Sequence, residues 1–187
     1  YTTLFRSAEY IRHGLNFNRV ADNVNRFLTD IPYRNSLTFI ITMNNLSVLG
    51  IQQQLEWILS LREMYSTTYQ RVWFDTPLLR QPAWQSLQIL PPVYVSVLER
   101  VADWMELHLE TPDNPFRGFK DYEVQRMRRD IDWMKEGRNL DPEYVKLQRA
   151  DFYRFFNEHD KRRHTNFLET FPEMKEFWNE CEYYAKN

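Results

Sequence analysis

The sequence predicts a mixed fold: an α/β first half joined to an all-helical second half. Three observations predict it. Two short apolar runs, Leu37 to Met43 and Arg71 to Phe74, read as strands. A helical segment separates them, giving a strand–helix–strand unit of about 40 residues, a length that calls for parallel strands. Beyond residue 92 the apolar residues recur at helical spacing.

Each element follows from its own residues. In 17–31, Val20, Val24, Phe27, Leu28 and Ile31 fall on one helical face, and Pro32 stops the helix. Leu37 to Met43 is nearly continuous and rich in β-branched residues, as in a strand buried on both faces of a parallel sheet. Asn44-Asn45 ends it. Ser47 then caps a helix from Val48 to Met64, whose buried stripe is Val48, Ile51, Leu55, Ile58 and Leu59. Trp57, Leu61 and Met64 form its second apolar flank. Arg71 to Phe74 is the second strand, closed by Asp75-Thr76-Pro77. Residues 78–91 are irregular. The helical half begins with the stripe Tyr94, Val97, Leu98, Val101, Trp104 and Met105, and continues with Val124, Met127, Ile131 and Met134. Asp141-Pro142 opens the next helix, with Val145, Phe152 and Phe156 inward. Thr170-Phe171-Pro172-Glu173 reads as a capping box for a last helix that buries Met174, Phe177, Trp178 and Cys181. Two parallel strands do not make a stable sheet alone, so further strands are expected beside them.

Composition bounds the function. Of 187 residues, 43% are hydrophobic and 27% charged, as in a folded domain. Only 4 glycines are present, which argues against a Gly-rich phosphate loop. A formal net charge of −2 argues against nucleic acid as the partner. The single cysteine, Cys181, excludes an internal disulfide and any cluster built on several thiolates of this chain. It suits a reducing, cytoplasmic setting. No apolar run approaches the roughly 18 residues that span a bilayer, so no membrane partner is expected. Tyr1 to Ser7 resembles the translation of a sequencing adapter and is expected to be non-native. The expected organisation is therefore 1–7 adapter-derived, 8–91 α/β and 92–187 helical.

Chemistry in parallel α/β folds gathers beyond the carboxyl ends of the strands. Those ends are Thr42-Met43-Asn44-Asn45 and Asp75-Thr76-Pro77. Their short polar side chains suit a ribose, an adenine edge or a carboxylate, although Asn and Asp end strands commonly. Arg12, in Tyr10-Ile11-Arg12-His13-Gly14, is placed to grip a carboxylate or simply to face solvent. His13 has no identifiable partner for acid–base work. Glu158 to His164 is the densest ionisable run. His159 and His164 are five apart, so they do not share a helical face as metal ligands would. The run reads instead as a helix C-terminus whose cations favour the dipole, or as a basic lid.

Glu9-Tyr10-Ile11-Arg12-His13-Gly14, with Phe17, Val20 and Asn23-Val24-Asn25-Arg26-Phe27, resembles the segment after the fourth barrel strand of radical-SAM enzymes of the SPASM/twitch group. Leu37 to Asn45 is similar to the fifth strand, and Arg71 to Pro77 to the sixth. Phe155 to Arg163, Thr165-Asn166-Phe167 and Phe171-Pro172-Glu173 resemble the tail of twitch-domain proteins. The resemblance spans about residues 8–187. It implies the C-terminal part of a partial (β/α)6 barrel, a 4Fe–4S cluster and S-adenosylmethionine, cleaved to start radical chemistry on a small molecule or peptide. It also implies Met43, Asn44 and Asn45 on one strand end, Asp75 and Thr76 on the other, and Arg12 at the methionyl carboxylate. The group's Cys-x3-Cys-x2-Cys motif has no match here, so the cluster ligands are expected upstream and the chain inactive alone. Two other readings compete: a non-catalytic helical interaction module using 161–164, and another α/β transferase that uses a nucleotide.

Overall fold

The computed structural model describes residues 3–31 and 35–187. Helix α1, Thr3–Ile11, runs across the expected boundary at Ala8 and ends in a turn at Gly14, whose φ of +77° is one that glycine adopts without strain. Tyr1, Thr2 and the helix stop read at Pro32 lie outside the described residues. Helix α2, Phe17–Asp30, starts at Asn16, whose side chain accepts from Arg19 N at 3.0 Å. Of its expected face, Val24 and Leu28 are buried while Ile31 is exposed. The buried Arg71 guanidinium closes its C-terminus, donating to Leu28 O at 2.9 Å and Ile31 O at 2.7 Å.

Strands β1, Leu37–Ile40, and β2, Val72–Asp75, are parallel, in register from Leu37–Val72 to Ile40–Asp75. Met43 adds a parallel bridge to Leu78. No further strand occurs among the described residues, so the six-stranded barrel arrangement is not seen in them. The expectation that β1 is buried on both faces is corrected. Phe39 packs on Trp57 with ring centroids 5.0 Å apart, but Thr38 is exposed and Ile40 is 63% exposed. Successive side chains point to opposite faces, and one face has a covering helix.

That helix, α3, is Ile51–Tyr65 and buries Ile51, Leu55, Ile58 and Leu61. Ser47 does not cap it. Its hydroxyl accepts from Asn44 N at 2.9 Å and donates to Asn44 O at 2.7 Å, closing the turn before the helix. Met64, expected on the second flank, points to solvent. The unforeseen member of the buried face is Arg62, which is 0% exposed.

Short 3₁₀ turns at Ala83–Gln85 and Leu87–Ile89 lead into α4, Val93–Glu106, and α5, Asp121–Glu136. The expected α5 stripe, Val124, Met127, Ile131 and Met134, is buried throughout. Helix α6, Pro142–Arg163, opens on Asp141, which accepts from Glu143 N at 3.0 Å, and closes at His164 in the left-handed region. The short α7, Phe167–Thr170, is capped by Asn166. Helix α8, Lys175–Lys186, follows, and its Met174 cap makes no side-chain bond. The expected capping box is therefore corrected: Thr170 ends α7, its hydroxyl on Asn166 O at 3.0 Å. Helix α8 lies on α6 through a ring cluster that includes Phe152–Phe177 at 5.1 Å, with Trp178 stacked on Phe167 at 4.3 Å.

One hydrophobic core runs from Tyr10 to Cys181. Its polar tie is Arg62, bidentate on the buried Glu123 at 2.7 and 3.0 Å. Arg62 also donates to Val72 O at 2.9 Å and Gly118 O at 2.8 Å. Glu123 in turn accepts from Lys120 N at 2.9 Å, satisfying the first turn of α5. A buried guanidinium is tolerated here because its carboxylate and carbonyl partners are all supplied.

Candidate site at the strand ends

A cleft of about 130 Å³ opens at the carboxyl end of β1, between α1 and α3. Arg12, Thr42, Asn44, Ser47 and Gln54 give it polar lining, and Ile11 and Phe17 an apolar side. Arg12 lies just past α1, exposed, and its guanidinium has no acidic partner among the described residues. The structure thus brings Arg12 and Asn44 to one cleft.

The other expected site residues have structural work. Asn44 folds back on its own turn: its Oδ1 accepts from Leu46 N at 2.9 Å and Ser47 N at 3.2 Å, and its Nδ2 donates to Thr42 O at 3.2 Å. It shapes the cleft, since its side-chain oxygen and one amide N–H are taken up by its own turn. Met43 is fully buried, bonded through its backbone to Pro77 O and Leu79 N. Asn45 is buried and turned away, its Nδ2 on Trp84 O at 2.9 Å, while its Oδ1 has no partner.

The end of β2 is closed by α5. Asp75 pairs with Arg126 at 2.7 Å. Thr76 is buried and donates to Asp130 Oδ2 at 2.7 Å. Neither belongs to the β1 cleft. Burial pushes the Asp130 carboxyl up to about 6, against the Thr76 hydroxyl and the positive charges of Arg129 and Arg126. Its Oδ1 has no hydrogen-bond partner. Sequence reading missed Asp130 because it lies 54 residues from Thr76. A signal was present: Asp130 stands three residues after Met127 and four before Met134, on the apolar stripe of its helix.

The ionisable run at the end of α6 is a junction with α1. Asp160 accepts from the Tyr10 hydroxyl, the Thr165 hydroxyl and Phe167 N, each at 2.7 Å. Arg163 donates to Ile11 O at 3.1 Å, and Arg162 to Glu158 at 2.7 Å. Lys161, Arg162 and Arg163 occupy the last helical turn, where the dipole favours cations. The His159 ring lies 4.5 Å from Tyr10, with neither nitrogen hydrogen-bonded. Its Nδ1 is 3.6 Å from Asp160, too far for a bond. Burial first, and then the Arg163 charge, lower its pKa from the ordinary histidine value, against the Asp160 carboxylate, which raises it.

The residues present do not fit an iron–sulfur cluster. The one cysteine, Cys181, is fully buried on α8, where burial pushes its thiol up and disfavours the thiolate that ligates iron. Among the described residues no group of three or more His, Cys, Asp or Glu is placed to hold a metal ion. No described helix is long and apolar enough to cross a membrane. The chain matches no protein-family model, no curated protein and no solved structure.

Proposed function

We propose that the chain supplies the last two parallel strands and the C-terminal helices of a radical-SAM enzyme, and that the β1-end cleft takes the carboxylate end of S-adenosylmethionine. The family reading rests on the resemblance of the segments around Arg12, β1, β2 and the tail. The observation that carries the site is the Arg12 guanidinium, without an acidic partner among the described residues, beside a polar cleft at a parallel strand end. Such forks bind carboxylates bidentately. At about 130 Å³ the cleft is smaller than a whole-ligand pocket, commonly 300–1,000 Å³, so it suits one end of the ligand.

On this reading S-adenosylmethionine and a 4Fe–4S cluster would supply radical chemistry on a small-molecule or peptide substrate. The three cysteines for that cluster would come from outside residues 8–187. This chain's own residues have simpler roles. Arg12 binds the carboxylate, Thr42 and Gln54 present polar groups beside it, and Asn44 with Ser47 holds the turn that forms the wall. Met43 and Asn45 are buried beside that turn, and Asp75 and Thr76 are held by α5 at the other strand end, so none of the four touches the ligand.

The interaction-module reading draws less support, because Arg162 and Arg163 of the basic run are held by contacts within the chain. Equilibrium binding of S-adenosylmethionine tests the site: Arg12→Gln should weaken it about ten-fold, as loss of a charge-assisted hydrogen bond does. Unchanged affinity overturns the placement. An encoding reading frame that, extended upstream, lacks a Cys-x3-Cys-x2-Cys motif overturns the family.

A further inference from the structure

A groove of about 450 Å³ lies in the helical half, away from the strand ends. It opens between the Leu87–Ile89 turn, the start of α4, the end of α5 and the first turns of α6. None of its lining residues belongs to the β1 cleft. The volume falls in the range of small-molecule sites, and Leu90, Val95, Met134, Leu140 and Val145 give it apolar walls.

Its floor is set by close packing. Gly137 sits so near the preceding turn that a Cβ there would stand 2.5 Å from Gln88 O. Gln88 in turn donates to Trp133 O at 3.0 Å, tying the turn to α5. A floor held at backbone contact distance favours a groove that exists before any ligand arrives.

The rim is basic. Lys135 is matched by Glu99 at 2.8 Å, Lys146 by Glu143 at 2.6 Å, and Arg149 by Glu180 at 2.6 Å. The fourth cation, Arg138, is exposed and has no acidic partner among the described residues. Four cations and no carboxylate line the groove, and Arg138 is the one of the four without an acidic partner among the described residues. Apolar walls with one unmatched guanidinium at the rim are complementary to a ligand with an apolar body and a single anionic head.

We propose that this groove binds an amphipathic carboxylate, with its hydrocarbon body against Val95, Met134 and Val145 and its head on Arg138. The proposal is independent of the radical-SAM reading.

Titration calorimetry of the chain with decanoate, below its micelle concentration, tests it, with decylammonium as the charge-reversed control. Saturable binding of one decanoate, about ten-fold tighter than decylammonium, is expected. Arg138→Gln, a surface change that leaves thermal unfolding in place, should erase that preference. Val145→Glu, which puts a charge on the apolar wall, should abolish decanoate binding, and circular dichroism checks that its fold is kept. No saturable decanoate binding overturns the proposal. So does a preference that survives Arg138→Gln, or affinity unchanged in a folded Val145→Glu.

Discussion

The end of β1 lies open beside Arg12, whereas the end of β2 is sealed by α5. Both ends carry the same kind of residue, short and polar, after a short apolar strand. What separates them is a helix that begins 45 residues after Thr76, at Asp121. That helix brings Glu123 to Arg62, Arg126 to Asp75 and Asp130 to Thr76. At β1 the neighbours are α1 and α3, and they leave a gap lined by Arg12, Thr42 and Gln54. Whether a polar residue after a strand stays accessible therefore depends on whether a later element takes its hydrogen bonds.

The sharpest way to break the comparison is at Arg62–Glu123. Glu123→Ala leaves a guanidinium buried at 0% exposure without its carboxylate, and should cost about 3–5 kcal/mol in urea unfolding. A loss under about 1 kcal/mol would mean that α5 does not anchor the β2 end.

Asp130→Asn comes next and has the opposite sign. The folded-state pKa of about 6 stands above the ordinary 3.8. Between those values the folded chain holds more protons than the unfolded one, so stability is full below about pH 4 and falls as pH rises to 6. Removing the ionisable group should stabilise the protein at pH 7–8 by on the order of 2–3 kcal/mol, with the gain vanishing below pH 4. Melting temperatures of both proteins across that range check it; a constant difference would exclude the titration.

Asn45→Ala removes the bond to Trp84 O along with an oxygen that has no partner, so its cost should be modest, about 1 kcal/mol. Arg126→Gln breaks a partly exposed pair with Asp75 and should change stability by about 0–1 kcal/mol. Smallest of all is Arg12→Ala, within about 0.5 kcal/mol, because the side chain is exposed and has no acidic partner among the described residues. An Arg12→Ala loss above 1 kcal/mol would make Arg12 a structural residue and close the comparison between the two ends.

Much of the fold is legible in single segments. The stripe of α5, the Asp141 cap of α6 and the parallel pairing of β1 with β2 follow from local spacing. The two misread caps, Ser47 and Thr170, carry the right residue type for a cap, but each hydroxyl closes a neighbouring turn instead. Local chemistry offers both bonds, and the path of the chain chooses between them. At the candidate site, Asn44 was legible as a polar residue at a strand end, and Arg12 as a residue before the first full helix able to grip a carboxylate or to face solvent. That Thr76 is consumed by Asp130 was not, since 54 residues separate the partners.

The sequence by itself determined the periodicities, and with them the α/β first half, the helical second half and the single cysteine, too few for a cluster built on this chain's thiolates alone. These depend on near neighbours and on composition. Only the tertiary structure decided which strand end is open, that Arg62 and Asp130 are buried, and that His159 lies in the core with neither ring nitrogen hydrogen-bonded. Those outcomes depend on burial and on pairing across distant segments, and the free energy of a buried polar group is set by whichever partner the fold brings to it.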